Sequence, residues 1–283
     1  MKNDICALCK EESELHLSHI IPRFISKWLK KTSATNYIRA YSGKRKQDSF
    51  KRFLLCRECE QLFSNYESYF ASKFFYPLIK DSRIIKFITY DERLLKFIIS
   101  VNWRILHDFL EEKDKNKNTE FTKLLDNWNK YLNNYTDKLL NSNYLIFHDF
   151  NEPETTNDFK YISYISSLSD AGVLSNKIGT KLVFTQIPFF TLISTIKQLE
   201  GYNLENLEIY TKGKFIPFVS FFSLDIVSLF ISRIELMDKV NLSKRDNKKI
   251  LKELLKDMEK TKSSRSYNTF TNEMKRYLER KSK

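Results

Sequence analysis

Glycine and proline are scarce in this chain, with five of each in 283 residues. Phenylalanine and tyrosine are abundant instead, with 23 and 15 copies, so the chain has enough apolar volume to bury a sizeable core. A composition of this kind does not predict intrinsic disorder. No positively charged leader followed by an apolar stretch opens the sequence, so we expect a cytoplasmic rather than a secreted protein.

Long apolar runs are also rare. One stretch, residues 215–234, is apolar enough to raise the question of a membrane span. Asp225 in its middle and Pro217 near its start favour a buried strand-to-helix unit, because a charged side chain is costly in the hydrocarbon core. We therefore expect no membrane partner. A membrane element of a toxin-like effector is a weaker alternative, which solubility without detergent would exclude.

Acidic residues are fewer than basic residues in this chain. The chain carries 48 Lys and Arg against 35 Asp and Glu, a formal net charge of +13. Residues 1–80 carry 15 basic against 8 acidic side chains, residues 81–237 carry 18 against 20, and residues 238–283 carry 15 against 7. Because the basic excess lies at both ends, it indicates a polyanion that the ends of the chain contact. A solubilising surface on a Lys-rich protein is the alternative.

Only four cysteines are present, and they form two Cys-x-x-Cys pairs, Cys6 with Cys9 and Cys56 with Cys59. Two such pairs with none left over are typical of a zinc site, since each pair supplies two corners of a tetrahedron. Four protein ligands close the coordination sphere, so this zinc would be structural rather than catalytic. Disulfides are the less favoured use of these cysteines in a reducing cytosol.

The periodicity of apolar residues predicts an α+β protein. We expect a small module over residues 1–80 and a mixed, mainly helical domain with a small sheet over residues 81–283. Predicted helices cover residues 23–30, 59–79, 91–112, 120–140, 243–260 and 268–281. Predicted strands or β-rich segments cover residues 14–21, 37–41, 50–55, 144–150, 159–165, 180–186 and 207–218.

The order of motifs in the first module is specific. A Cys-x-x-Cys pair is followed by a strand that ends in His19-Ile20-Ile21-Pro22, and then by Leu-Leu-Cys-x-x-Cys at residues 54–59, which opens a helix. Over about residues 5–70 this arrangement resembles the zinc-stapled branch of the HNH endonucleases, which belong to the ββα-metal (His-Me finger) superfamily. The resemblance implies a ββα-metal zinc module and hydrolysis of phosphodiester bonds.

Carried over by position, the resemblance places His19 at the general base and Glu60 at the metal ligand early in the helix. Ser18 falls on the strand metal ligand and Lys51 on the asparagine that orients the base. A carboxylate at position 60 suits Mg²⁺ or Mn²⁺. Ser18 is a weak ligand, and Lys51 cannot accept a hydrogen bond but could contact phosphate.

Other side chains could compensate for Ser18. His16 lies two residues earlier on the same strand and so is predicted to project to the same face. Glu67 follows Glu60 by two helical turns, on the same side of the helix. We predict that Glu60 holds the catalytic ion with help from His16 or Glu67. The alternatives are a surface histidine at position 16 and a solvated glutamate at position 67, or a Glu67 that hydrogen-bonds to His19.

Basic side chains around this module suit the phosphate backbone of a nucleic acid, although basic turns are common on any exposed hairpin. The predicted nucleic-acid contacts are Arg23, Arg39, Lys44, Arg45, Lys46 and Lys51. His107 and His148 are interpreted as structural residues.

These observations lead to two hypotheses. The first is a metal-dependent endonuclease that contains structural Zn²⁺ and catalytic Mg²⁺ or Mn²⁺. It would act on nucleic acid, with DNA favoured, and would form a homodimer or bind a partner protein of an anti-phage defence system, a context suggested by analogy alone. The second is a catalytically inactive zinc protein that binds nucleic acid or a partner, which the residues Ser18 and Lys51 favour.

Overall fold

The structure is a computed structural model with a mixed α+β fold. It describes residues 2–32, 38–39, 45–46, 48–81, 84–112, 119–148, 165–166, 169–175, 181–196 and 207–217. For residues 38–39 and 45–46 it describes the backbone alone. The predicted tail helices, most of the apolar stretch 215–234 and most of the predicted strand 159–165 lie outside these ranges.

The N-terminal part contains a three-stranded antiparallel sheet and the helices packed on it. Its strand order is β1-β2-β5. The elements are β1 (Lys2–Ile5), β2 (Glu12–His19), α1 (Arg23–Thr32), β3 (Ile38–Arg39), β4 (Arg45–Lys46), β5 (Lys51–Leu55), α2 (Arg57–Phe70) and α3 (Tyr76–Asp81). Strands β3 and β4 pair with each other. The predicted strand–helix–strand–helix order is confirmed, and the exposed strand β1 is an addition to it.

A π-helical turn, Ala71–Phe75, joins α2 to α3. A π turn holds one residue more than an α turn, so it changes which side chains face inward. Phe70, Phe74 and Phe75 are all fully buried as a result. The ring of Phe75 packs edge-on against Trp28 and Phe24 of α1, which closes the N-terminal part around α2.

The rest of the described chain is a four-stranded antiparallel sheet packed against one long helix, with a second long helix packed on the first. Its strand order is β7-β10-β9-β8, and a separate pair joins β6 to β11. The elements are β6 (Ile88–Tyr90), α4 (Glu92–Glu112), α5 (Thr119–Leu132), β7 (Ser142–Phe147), β8 (Asp170–Ser175), β9 (Lys181–Ile187), β10 (Phe190–Thr195) and β11 (Gly213–Phe215). Within the described residues this part holds more strand than the predicted, mainly helical arrangement.

Helix α5 ends at Leu132, eight residues before the predicted end at residue 140. Asn134 adopts a left-handed conformation with φ of 60°. The amide of Asn134 donates to the carbonyl of Tyr131, and the amide of Tyr135 donates to the carbonyl of Lys130 (2.8 Å). This pair of hydrogen bonds is a Schellman motif, which ends a helix at an asparagine or glycine.

Helix α4 lies at the centre of the molecule. It is buried on nearly all sides, which is typical of a helix inside a core rather than on its surface. One cluster of buried apolar side chains runs from Cys6 through α4 to Phe215. Asn102 on α4 donates to Ser194 (2.9 Å) and accepts from Thr185 (2.7 Å), which satisfies its amide at the interface with the sheet. Among the described residues, no helix has the length and apolar character needed to cross a membrane.

Candidate metal centre and the His19 site

The four cysteine sulfurs lie together at the junction of β1, β2 and α2. All four Sγ atoms are within 4.8 Å of one another, and those of Cys9 and Cys56 are 3.9 Å apart. Cys6, Cys56 and Cys59 are buried and Cys9 is half-buried. Four sulfurs at these separations match the ligand set of a closed structural zinc site, so the predicted metal-binding cluster is confirmed in its composition.

Local backbone structure brings the two pairs together. The first pair lies on a tight turn, in which the amide of Lys10 donates to the carbonyl of Cys6 and Lys10 has a positive φ of 66°. The second pair begins α2, because Cys56 is its N-cap residue and Cys59 lies in the first turn. The amide of Ala7 donates to the carbonyl of Leu54 (3.0 Å), which fixes one turn beside the other.

The cysteine cluster favours a cation on electrostatic grounds. The hydrogen bond from Cys59 lowers the pKa of Cys6 to about 4, whereas burial raises the pKa of Cys56 to about 11. The hydrogen bond to Cys6, together with burial, raises the pKa of Cys59 above its usual range. One thiolate therefore opposes the ionisation of its neighbours, and a divalent ion would remove that penalty.

His19 lies at the end of β2, where its imidazole contacts Asp48. Nε2 of His19 is 3.2 Å from Oδ1 and 3.3 Å from Oδ2 of Asp48. A carboxylate can only accept hydrogen bonds, so Nε2 carries the proton and Nδ1 is the basic nitrogen. The imidazole is 15% exposed. A carboxylate that orients an imidazole in this way is the arrangement that general bases use.

Asp48 is itself held in place by two other donors. It accepts hydrogen bonds from the amide of Ser49 (2.9 Å) and from Nζ of Lys51 (2.7 Å). Burial on its own would raise its pKa, but the hydrogen bonds from Lys51 and Ser49 and the proximity of His19 lower the pKa to about 2. The carboxylate is therefore ionised at neutral pH. Asp48 carries no sequence motif of its own and is not among the predicted site residues.

The pKa of His19 is lowered from its ordinary value of 6.5. Burial is the largest cause, the charge of Asp48 opposes it, and the charges of Lys51 and Arg23 lower it further. The imidazole is therefore neutral at pH 7 and able to accept a proton.

Lys51 lies directly opposite His19 in the antiparallel pair of β2 and β5. The resemblance places Lys51 at the residue that orients the base, and in the structure Asp48 contacts the ring. Ser18 is 1% exposed, and its hydroxyl donates weakly to the carbonyl of His16 (3.4 Å). His16 is exposed, and the register of the two strands shifts between His16 and Leu17. The side chains of His16 and Ser18, predicted to project to the same face of the strand, therefore differ in exposure.

The two glutamates on α2 have different surroundings. Oε1 of Glu60 is buried and has no hydrogen-bond partner among the described residues. Oε1 of Glu67 accepts from Nη2 of Arg104 on α4 (2.7 Å). Burial raises the pKa of Glu67, Arg104 opposes that shift, and the charge of Glu60 adds to it. Glu67 reaches His19 through Arg104 and makes no direct hydrogen bond to the imidazole.

Within the described part of the chain, the cysteine cluster is the one group of three or more Cys, His, Asp or Glu side chains placed to hold a metal. The predicted ligand set of Glu60 with His16 or Glu67 contains two residues, fewer than such a group, and stays a prediction. Of the predicted nucleic-acid contacts, Arg23 is exposed and close enough to affect His19 electrostatically. Lys44 and the side chains of Arg39, Arg45 and Lys46 lie outside the described residues.

Comparison of the chain with protein-family models, curated proteins and solved structures finds no match.

Proposed function

We propose that this protein is a metal-dependent endonuclease in which His19 acts as the general base. The observation that carries the proposal is the hydrogen bond between His19 and Asp48, at the end of a strand anchored by the cysteine cluster. Hydrolysis of a phosphodiester needs a base that removes a proton from water. The lowered pKa of His19 leaves it neutral at pH 7, and an ionised carboxylate orients its ring, so His19 is suited to act as this base.

The residues around the imidazole would have separate roles in the reaction. Nδ1 of His19 takes the proton of the attacking water, and Asp48 stabilises the imidazolium that forms. Lys51 is shared between Asp48 and the solvent, with its side chain 29% exposed, and is placed to neutralise a substrate phosphate. Arg23 supplies a second cation near the ring.

A catalytic Mg²⁺ or Mn²⁺ would be held by Glu60. The buried and unpartnered Oε1 of Glu60 fits this role, since a bound cation would satisfy it. Mg²⁺ is commonly bound by one or two carboxylates together with substrate phosphates, so a single protein ligand is compatible with an ion that arrives with the nucleic acid. When bound, the ion would supply positive charge to the phosphate and the leaving oxygen.

Nicking of supercoiled plasmid in the presence of Mn²⁺ tests the proposal. The wild-type protein should convert supercoiled into open-circular DNA, and His19→Ala should abolish the conversion. His107→Gln, a change at a histidine on α4 to which the proposal gives no role, is the matched control and should retain it. Nicking that persists in His19→Ala would contradict the assignment of the base. A parallel assay on RNA decides between the two nucleic acids.

A catalytically inactive binding protein is the second candidate. The burial of Ser18 supports it, because a serine turned into the core cannot replace the metal ligand of the resembled family. In this case the protein would shift labelled oligonucleotides in a salt-sensitive manner without cutting them. Binding without nicking at any Mn²⁺ or Mg²⁺ concentration would favour this candidate.

The proposal extends to the assembly state and the biological role of the protein. Cutting both strands of a duplex requires two active sites, so an endonuclease of this kind would act as a homodimer or with a partner protein. A place in anti-phage defence rests on the family resemblance alone. Sedimentation in the presence and absence of DNA measures the assembly state.

A further inference from the structure

We infer that Arg104 is a positioning residue that fixes the end of β2 and thereby aims His19. This inference deepens the proposed function, because it assigns a role at the same site to a residue far away in the sequence. Arg104 lies on α4, 85 residues beyond His19, and its side chain is 3% exposed.

The guanidinium of Arg104 connects three elements. Nη1 donates to the backbone carbonyl of His19 (2.7 Å), Nη2 donates to Oε1 of Glu67 on α2 (2.7 Å), and Nε donates to the carbonyl of Ser100 on α4 (3.2 Å). Its plane also lies over the ring of Phe63, 5.2 Å from the centroid. A planar group with donors at fixed angles can be held by such a set in one orientation only.

The hydrogen bond from Arg104 to the His19 carbonyl restrains the position of the imidazole. A peptide group is planar, so holding its oxygen sets the backbone torsion ψ of His19. On the other side of the strand, the pairing of His19 with Lys51 restrains the same residue. Together the two restraints fix the direction of the Cα–Cβ bond, and Asp48 then selects the ring orientation.

A second arginine provides a comparison within the same fold. Arg52 on β5 also reaches α4, where Nε donates to Asp108 (2.8 Å) and Nη2 donates to Glu112 (3.4 Å). Arg52 is 40% exposed, and its guanidinium contacts Asp108 and Glu112 on α4 and the ring of Phe50. If cross-linking to α4 were all that mattered, the two arginines would have similar effects on His19.

Nitrogen NMR of protein labelled with ¹⁵N-histidine tests the inference without relying on catalysis. The chain has four histidines, so the spectrum is small, and the spectrum of His19→Ala assigns His19. At pH 8 the wild-type protein should show one tautomer of His19, with the proton on Nε2. The full-length double variant Arg104→Met with Glu67→Leu should show averaged shifts for the two ring nitrogens, whereas Arg52→Gln should match the wild type.

The double variant is chosen because Arg104→Met alone would leave the Glu67 carboxylate buried without its partner and could unfold the chain. Replacing a buried ion pair by apolar side chains commonly preserves the fold. Circular dichroism checks that it does. In the nicking assay the double variant should lose about 10²-fold in kcat with little change in KM, since a displacement of about 1 Å costs that much.

The outcomes separate the two proposals. A folded double variant whose His19 shifts equal those of the wild type overturns the positioning role, whatever its melting temperature. Averaged shifts in the double variant together with wild-type shifts in Arg52→Gln support it. If the shifts change as expected but the wild-type protein cuts no nucleic acid, the positioning role stands and the endonuclease proposal fails.

Discussion

The rings of Phe70 and Phe97 stack almost in parallel, with 4.1 Å between their centroids and 10° between their planes. Phe70 ends α2 and Phe97 lies in α4, so this contact joins the cysteine-bearing part of the chain to the central helix. The two rings belong to the same buried cluster as the cysteines. We therefore expect the two parts to unfold together.

Phe97→Ala should lower the free energy of unfolding by about 3–5 kcal/mol, because it removes a fully buried ring and leaves a cavity. Denaturant unfolding followed by circular dichroism and by fluorescence measures the change. Ile84→Ala, at a side chain that is 78% exposed, is the control and should change stability by less than about 0.5 kcal/mol. Two separate transitions in the wild-type protein would show that the parts unfold independently.

Asp48→Asn should lower the kcat for plasmid nicking by about 10²–10⁴-fold, the range that general-base catalysis contributes. The amide removes the negative charge that stabilises the imidazolium and can donate to Nε2, which would favour the wrong tautomer of His19. The exposed Asp4, whose carboxylate bonds to Lys2, provides the control substitution Asp4→Asn. Equal nicking rates for Asp48→Asn and Asp4→Asn would remove Asp48 from the catalytic site.

The pH dependence of nicking should show an acidic limb with an apparent pKa below 6.5. The base acts when it is neutral, and the folded pKa of His19 is lowered, so activity is lost only as the pH falls through that lowered value. Lys51→Met should move the limb to higher pH, because the charge of Lys51 lowers the pKa of His19. Initial rates between pH 4.5 and 8 measure the acidic limb of the wild-type protein and of Lys51→Met. A limb that moves to lower pH in Lys51→Met would contradict the electrostatic argument.

His148 should make the protein less stable in mild acid. Burial lowers its pKa to about 3, against 6.5 in the unfolded chain. Both states are neutral above pH 6.5, and between pH 6.5 and 3 the unfolded state alone gains the proton. Stability should therefore fall over this range by up to about 1.4 kcal/mol per pH unit.

Comparison with His148→Gln isolates this contribution. Glutamine does not titrate and can keep a hydrogen bond to Thr191, whose hydroxyl lies 2.7 Å from Nε2 of His148. Urea unfolding at pH 7, 6 and 5 should give a shallower loss of stability in the variant than in the wild type. Parallel curves for the two proteins would show that the pKa of His148 is the same in the folded and unfolded states.

Removal of the structural metal should destabilise the whole chain. The purified protein should contain one Zn²⁺ per chain, and Cys9→Ser should release it at a lower chelator concentration, because a hydroxyl is a poor replacement for a thiolate. Zinc release measured with a colorimetric chelator, together with the melting temperature, tests this. Ser13→Ala, at a nearby serine whose hydroxyl donates to the carbonyl of Glu11, is the control. A protein that melts at the same temperature with and without chelator would have no structural zinc.

Sequence patterns predicted the elements whose apolar residues follow a clear period. Helices α1 and α4 and strands β2, β5, β7 and β9 were found within a few residues of their ends, and the helix predicted over 59–79 corresponds to α2, the π turn and α3 together. Strand β10 was missed because all six of its residues are buried, so it lacks the alternation that marks a strand with one exposed face. Strand β1 was missed for the opposite reason, since all four of its residues are exposed.

At the site, the cysteines could be predicted because their spacing is itself the signal. Asp48 could not, because its contact with His19 crosses 29 residues and starts from a loop without a motif. The sequence contains a weak signal for Arg104. It follows Phe97 and Val101 at helical spacing, so the sequence alone places a charge on the apolar face of α4, and such a charge requires a buried partner.

Trp103 packs edge-on against Phe63, with 5.7 Å between ring centroids, so its fluorescence should report on the packing around the cysteine cluster. Phe63 lies in α2, one turn beyond Cys59, whereas Trp103 lies in the centre of α4 and donates to Asn129 of α5 (2.7 Å). Loosening of the sulfur cluster would move the phenyl ring and admit solvent to the indole. If the cluster binds Zn²⁺, a red shift of tryptophan emission would thus report the loss of an ion that has no absorption spectrum of its own.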